Sequence, residues 1–231
     1  MRGVLGEKEM RLIDVTKQYE QRVVLNGLSL EIPEGKITCV LGKSGAGKTT
    51  TLNVICGMTD FEGIVEDAPN RVGYVFQEDR LIPHMSIYEN LRFVGGRDEI
   101  IKKMLPRARL QELQNRRVCS LSGGEKRRVE LLRAFCVDVP VVLLDEPFSA
   151  LDTVTKWEML SLVKELLMLG GQTAVFVTHD LDEAVAVADK IAVLHDGKIV
   201  YERLLDECSA PRSCLSTAEL REELMGFLMN L

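Results

Sequence analysis

The sequence predicts an α/β fold: a core alternating strands and helices, an antiparallel β layer, and a short helical subdomain inserted between the two halves of the core. Three observations lead there. Lys36-Ile37-Thr38-Cys39-Val40-Leu41 is a short apolar run that ends in a glycine-rich stretch, Gly42 to Thr49, and continues as a helix from Lys48 to Cys56. Met10 to Ile32 alternates apolar and polar residues between polar turns. From Ser86 to Cys119 the β signal vanishes and charged helix formers dominate.

Taken in chain order, Leu12, Val15, Val23-Val24-Leu25, Leu28, Leu30 and Ile32 give an antiparallel layer with one wet face. Val72-Gly73-Tyr74-Val75-Phe76 reads as a strand, with Gln77 at its end opening the helical insertion. Helix formers run from Asp98 to Leu113, with Pro106 as an interruption. Val141–Leu144 and Thr173–Thr178 lack alternation and so read as strands covered on both faces. Between them Val154 to Leu169 is helical and stops at Gly170-Gly171, where a left-handed cap costs little. Asp180-Leu181-Asp182-Glu183 resembles a capping box opening a helix through Ala188, and Asp196-Gly197 marks a hairpin between Ile191–Leu194 and Lys198–Tyr201. The expected organisation is a single domain over 1–231, with core segments 10–85 and 120–205, a helical insertion 86–119 and a helical tail 206–231 in which leucines recur at i, i+4.

The chain has 231 residues, enough for one α/β domain with a substantial core. Its 35 acidic and 29 basic residues give a formal charge of −6, which argues against a surface devoted to a polyanion, so no nucleic-acid partner is expected. The six cysteines are scattered without the spacing of zinc or thiol-redox sites, as in a reducing compartment. No run approaches the roughly 18 apolar residues that cross a bilayer, and Met1 to Glu9 lacks an apolar leader.

Three spaced motifs carry the chemistry. In Gly42-Lys43-Ser44-Gly45-Ala46-Gly47-Lys48-Thr49, the glycines allow successive backbone amides to converge on phosphate oxygens at a helix N-terminus. Lys48 adds a point charge, and the Thr49 hydroxyl is placed to ligate Mg²⁺. Val141-Val142-Leu143-Leu144-Asp145-Glu146-Pro147 puts the Asp145 carboxylate at the C-terminal end of a buried strand, where an open α/β sheet presents its ligands. Asp145 is expected in the metal shell, and Glu146, on the other side of a continuing strand, faces the γ-phosphate to polarise the attacking water. Leu121-Ser122-Gly123-Gly124-Glu125 fits a capping box, and the same uncovered helix start admits a phosphate closely. Gln77 and His179 each follow an apolar strand and gain meaning from their place among these motifs.

With those residues assembled, the chain resembles the ATP-binding cassette family from about Met10 to Tyr201, a P-loop NTPase core with its β layer and helical subdomain. The resemblance implies an ATP-binding set of Gly42, Lys43, Ser44, Gly45, Ala46, Gly47, Lys48, Thr49 and Thr50, with Tyr19 as the aromatic that stacks on adenine. It makes Gln77 the Q-loop glutamine touching metal and γ-phosphate, His179 the switch histidine, and Ser149-Ala150-Leu151-Asp152 the D-loop. Catalysis then falls to Glu146, His179 and Gln77, with Mg²⁺ on Thr49, Gln77 and Asp145. Ser122, Gly123, Gly124, Glu125 and Asp152 act in trans, on the ATP held by a second cassette, in a head-to-tail dimer closed by ATP and opened by hydrolysis.

The expected role is the ATPase subunit of a membrane importer, peripheral on the cytoplasmic face, with separate permease chains and an external solute-binding protein as partners. Phe76 to Pro83, Thr178 to Ala184 and the short tail look similar to the nitrate/sulfonate/taurine group. Lys43 stands where that family often has proline, Leu132 where alanine is usual, and Asn90–Cys119 is shorter than most importer helical subdomains, which implies a reduced permease surface. Alternatives are a soluble relative in DNA repair or translation, although neither a coiled-coil insertion nor a second cassette is present, and an exporter or lipoprotein-release ATPase.

Overall fold

A computed structural model describes residues 9–149, 151–205 and 214–229, the side chains of 214–217 excepted. In chain order the elements are β1 (Glu9–Tyr19), β2 (Arg22–Pro33), β3 (Ile37–Leu41), α1 (Lys48–Ile55), β4 (Glu62–Glu66), β5 (Val72–Val75), α2 (Ile87–Phe93), α3 (Asp98–Arg107), α4 (Gly123–Phe135), β6 (Val141–Asp145), α5 (Thr153–Gly170), β7 (Thr173–Thr178), α6 (Leu181–Val187), β8 (Lys190–His195), β9 (Lys198–Leu204) and α7 (Cys214–Met229). They fall into two compact units, one made of residues 1–70 with 173–231 and the other of residues 71–172.

In the first unit, β1 pairs antiparallel with β2 in the register Met10↔Ile32, Leu12↔Leu30 and Val15↔Leu28. These six side chains are buried, so the alternation read from the sequence is the inner face of this layer. A third strand, β4, lies on the other edge of β1; its residues are mostly exposed, which leaves little apolar signal in the sequence. β3 lies between β7 and β8, all parallel, and β9 closes the edge antiparallel to β8. Every residue of β3 and β7 is buried, which is why neither shows alternation. The hairpin from β8 to β9 turns at Asp196 and Gly197 with φ of 45° and 74°, the left-handed pair that a two-residue turn requires. In the tail, Leu220 and Leu224 are buried as their spacing predicts, whereas residues 206–213 lie outside the described residues.

In the second unit, β5 and β6 are parallel neighbours, and α4 packs on β5 so tightly that a Cβ on Gly73 would meet the Ala134 carbonyl oxygen at 2.1 Å. The helical stretch is two short helices rather than one. Ser86 and Glu89 form a full capping box at the start of α2. Pro106 lies inside the last turn of α3, which ends after Arg107, so the stretch of helix formers from Asp98 to Leu113 is interrupted one residue past the proline. Proline has no amide to bond the carbonyl four residues back, and the helix runs only one residue beyond it. The C-cap of α5 is Gly171 at φ 64°, as the paired glycines predict. Cys39 and Cys136 are buried thiols, and desolvation pushes the latter up to about 12, so neither is a ready nucleophile.

Candidate nucleotide site

The phosphate loop lies wholly in the first unit. Gly42 N donates to the Thr178 carbonyl at 3.2 Å, carrying the β3 ladder one residue into the loop. A Cβ on Gly42 would sit 2.6 Å from Leu194 O. Gly45 and Gly47 have φ of 81° and 107°, conformations that L side chains resist, and a Cβ on Gly47 would also meet Leu25 Cδ2 at 2.8 Å. Gly47 is the N-cap of α1, with no side-chain cap hydrogen bond and no acid in the first turn, a helix start of the kind at which an anion is favoured. Lys48 is buried, and its ammonium donates to Gly42 O at 2.9 Å and Lys43 O at 3.1 Å. Those bonds hold the loop around its own lysine. Lys43, Ser44, Gly45 and Thr49 are exposed, Ala46 and Thr50 partly so.

Two further predicted residues share this unit. Tyr19 ends β1 and is 44% exposed, with its hydroxyl 3.5 Å from Thr59 Oγ1. His179 is exposed immediately after β7, and Asp180 next to it caps α6 by accepting from the amides of Asp182 and Glu183. The expected capping box is only half formed there. Glu183 is buried and accepts instead from the Thr178 hydroxyl at 2.6 Å.

The remaining predicted residues lie in the second unit. Asp145 is buried at the end of β6, while Glu146 turns out of the strand at φ 40°. The expectation that Glu146 continues the strand is therefore wrong: the chain enters a turn, with Ser149 N on Glu146 O at 3.4 Å, and the side chain is aimed by that turn, not by the pleat. Ala150 lies outside the described residues. Asp152 caps α5, accepting from Thr155 N and Oγ1, and those bonds hold its carboxyl below the usual range. Ser122 caps α4 in a complete capping box: its hydroxyl accepts from Glu125 N at 3.3 Å, and its amide donates to Glu125 Oε2 at 2.7 Å. The amide and hydroxyl of Ser122 also keep the Glu125 carboxyl ionised to lower pH. Gly123 and Gly124 leave the start of this helix bare of side chains.

Gln77 does not open a helix; it is exposed in the loop between β5 and α2. A cavity of about 240 Å³ brings it together with Gly123 and with Pro147 and Ser149 of the turn after Glu146. Sequence reasoning missed what ties these segments. Arg127, on α4, donates to the carbonyls of Pro147 and, at 3.0 Å, Phe76, and to the Glu130 carboxylate. Glu130 accepts in turn from Arg80 N at 3.3 Å, and Arg133 donates to Arg80 O. Both side chains of the Arg127–Glu130 pair are only 10% exposed. Burial raises the Glu130 carboxyl against the pull of Arg127. The available signal was helical phase, since Arg127 shares a face with Leu131 and Phe135. Lys17 was missed likewise: the same alternation that buries Val15 turns it inward.

The family model described as "ABC transporter" matches residues 25–149. The aliphatic sulfonates import ATP-binding protein of Granulibacter bethesdensis is 39% identical over 94% of this chain and 93% of its own length. The sulfate/thiosulfate import ATP-binding protein of Xylella fastidiosa is 37% identical over 82% of this chain, which spans 61% of that longer relative. Among solved structures, a dimeric post-hydrolysis state of the ATP-binding cassette MJ0796 bound to ADP and phosphate superposes with a TM-score of 0.71 at 31% identity, covering 85% of this chain and 99% of that one. Phosphate loop, strand-end aspartate and capped signature helix thus occur within a chain similar along most of its length to transport cassettes, and the chain belongs to the ABC transporter family.

Proposed function

We propose that this chain is the ATP-hydrolysing subunit of an importer whose membrane-spanning chains are separate. The near full-length likeness to an aliphatic sulfonates import protein carries this reading. No helix among the described residues is long and apolar enough to cross a membrane, so work on a membrane would be done through permease partners, on the cytoplasmic face. An external solute-binding protein would deliver the substrate, and selection would lie with it and the permease. The similar cassette solved as a dimer supports a pair of such chains, which this reading arranges head to tail.

In this reading the amides of Gly45 to Thr49 and the Lys48 ammonium bind the phosphates, and Tyr19 stacks on adenine. Glu146 takes the proton of the attacking water, Gln77 and His179 position the γ-phosphate, and Ser122 to Glu125 with Asp152 complete the site on the partner's nucleotide. The donors proposed for Mg²⁺, the Thr49 hydroxyl, the Gln77 amide and the Asp145 carboxylate, are hard oxygen ligands of the kind it takes. No three His, Cys, Asp or Glu side chains cluster as an ion cage among the described residues. When bound, the ion neutralises charge that develops on the phosphates.

Glu146→Gln, trapped with Mg-ATP in a detergent extract of the native cell and recovered with its companions, tests the assignment. The variant should keep ATP binding while turnover falls by at least about a hundredfold, and mass spectrometry should find a multispan membrane protein beside it. Unchanged turnover removes Glu146 from the mechanism. Recovery of only nucleic-acid or ribosomal machinery overturns the importer role.

A further inference from the structure

Lys17 is 6% exposed, unusual for a lysine, and sits two residues before the exposed Tyr19 at the end of β1. Its ammonium does two things there. It donates to Asp60 Oδ1 at 2.6 Å, and it lies 4.7 Å from the centroid of the Tyr19 ring. Asp60 belongs to the segment after α1, as does Thr59, whose hydroxyl meets the Tyr19 hydroxyl. The ring is thus held at its tip by Thr59 and on one face by a cation that a carboxylate keeps in place.

That arrangement does little as a stability device. The Asp60 side chain is 98% exposed, so its attraction for Lys17 is screened by solvent and salt. Its geometric effect is larger. A tyrosine ring has two faces on which a flat base could stack; the ammonium covers one, which leaves the other for the base and fixes the plane in which it is offered. A base stacked on a preset ring loses less freedom than one that must order the ring as it binds.

We propose that Lys17, steered by Asp60, is a positioning residue for the purine of the bound nucleotide, holding the Tyr19 ring in the stacking plane. The proposal rests on the reading of Tyr19 as the adenine platform. Affinity measured on the full chain for Mg-ATP, and separately for magnesium tripolyphosphate, which has phosphates and no base, tests both. Tyr19→Ala should weaken ATP about tenfold and leave tripolyphosphate unchanged, since stacking on an aromatic side chain is worth about that much. Lys17→Met should weaken ATP by about three- to tenfold with tripolyphosphate again unchanged, Lys17→Arg should retain most of the affinity, and Lys17→Met should add nothing in the Tyr19→Ala background. An unaltered ATP affinity in Tyr19→Ala overturns the platform reading itself. A loss in Tyr19→Ala alone, or a Lys17→Met effect that persists without the ring, overturns the role of Lys17 and leaves the platform standing. Should Lys17→Met fail to fold, Asp60→Asn decides: weaker ATP with unaltered tripolyphosphate supports the proposal, and no change in either refutes it.

Discussion

Arg127→Met is the most informative perturbation of the second unit, because the guanidinium is the shared partner of three groups. Its removal leaves the Pro147 and Phe76 carbonyls without that donor and leaves the Glu130 carboxylate buried without its cation. Breaking a buried pair from one side costs about 3–5 kcal/mol, a large part of the roughly 5–15 kcal/mol that holds a typical domain folded. Urea unfolding at neutral pH should therefore show a loss of that size. The dependence on pH has a definite sign. Burial raises the folded-state Glu130 carboxyl above its unfolded value, so between the two values the native state holds more protons, and stability rises as pH falls into that window. Without Arg127 the upward shift grows, and the variant should regain more stability than wild type on acidification from neutral pH towards the ordinary carboxylate range. Adding Glu130→Leu should restore much of the loss. A single variant within about 1 kcal/mol of wild type, with an unchanged pH profile, would refute the view that this pair bolts the segments together.

Other substitutions separate chemistry from architecture. Ser122→Arg should abolish turnover while ATP still binds the phosphate loop; undiminished turnover would reduce the signature to a helix cap. Ser122→Ala, which loses the cap bond and the hydroxyl's bond to the Glu125 carboxylate, should cost about 1 kcal/mol in thermal or chemical unfolding. Gly73→Ala places a Cβ against the Ala134 carbonyl, and calorimetry should show about 1–3 kcal/mol of destabilisation as α4 is pushed off β5. Gly47→Ala combines a forbidden φ with a clash on Leu25, so nucleotide binding measured by titration should be lost before the fold is.

How much could be read from the chain depends on the range of the forces involved. The inner face of β1 and β2, the doubly covered β3 and β7, the Gly171 cap and the Asp196-Gly197 turn are each set by local pattern or by a backbone angle that few residues adopt. The phosphate loop is legible for the same reason, since its glycines answer local steric demands. Pro106 is legible too, since α3 stops one residue after it and the stretch to Leu113 does not continue as one helix. Glu146 misled because a strand was assumed to run on where the chain turns at φ 40°. The Arg127–Glu130 pair was hidden for a deeper reason. Two opposite charges three apart on a helix read as a solvated face, and only partners some twenty and fifty residues away, at Pro147 and Phe76, make the guanidinium an interior group.

Thr178 is one residue that serves two neighbours. Its carbonyl receives the Gly42 amide at 3.2 Å, and its hydroxyl accepts from Asp180 N at 3.0 Å while donating to Glu183. The entrance of the phosphate loop and the short segment carrying His179 are therefore geared to a single pivot. Under the proposed mechanism, a change at one is transmitted to the other without any travelling wave of rearrangement, and the histidine keeps time with the loop. Thr178→Val, which keeps the carbonyl and deletes the hydroxyl, would slip that gear, letting nucleotide bind while the histidine loses its cue.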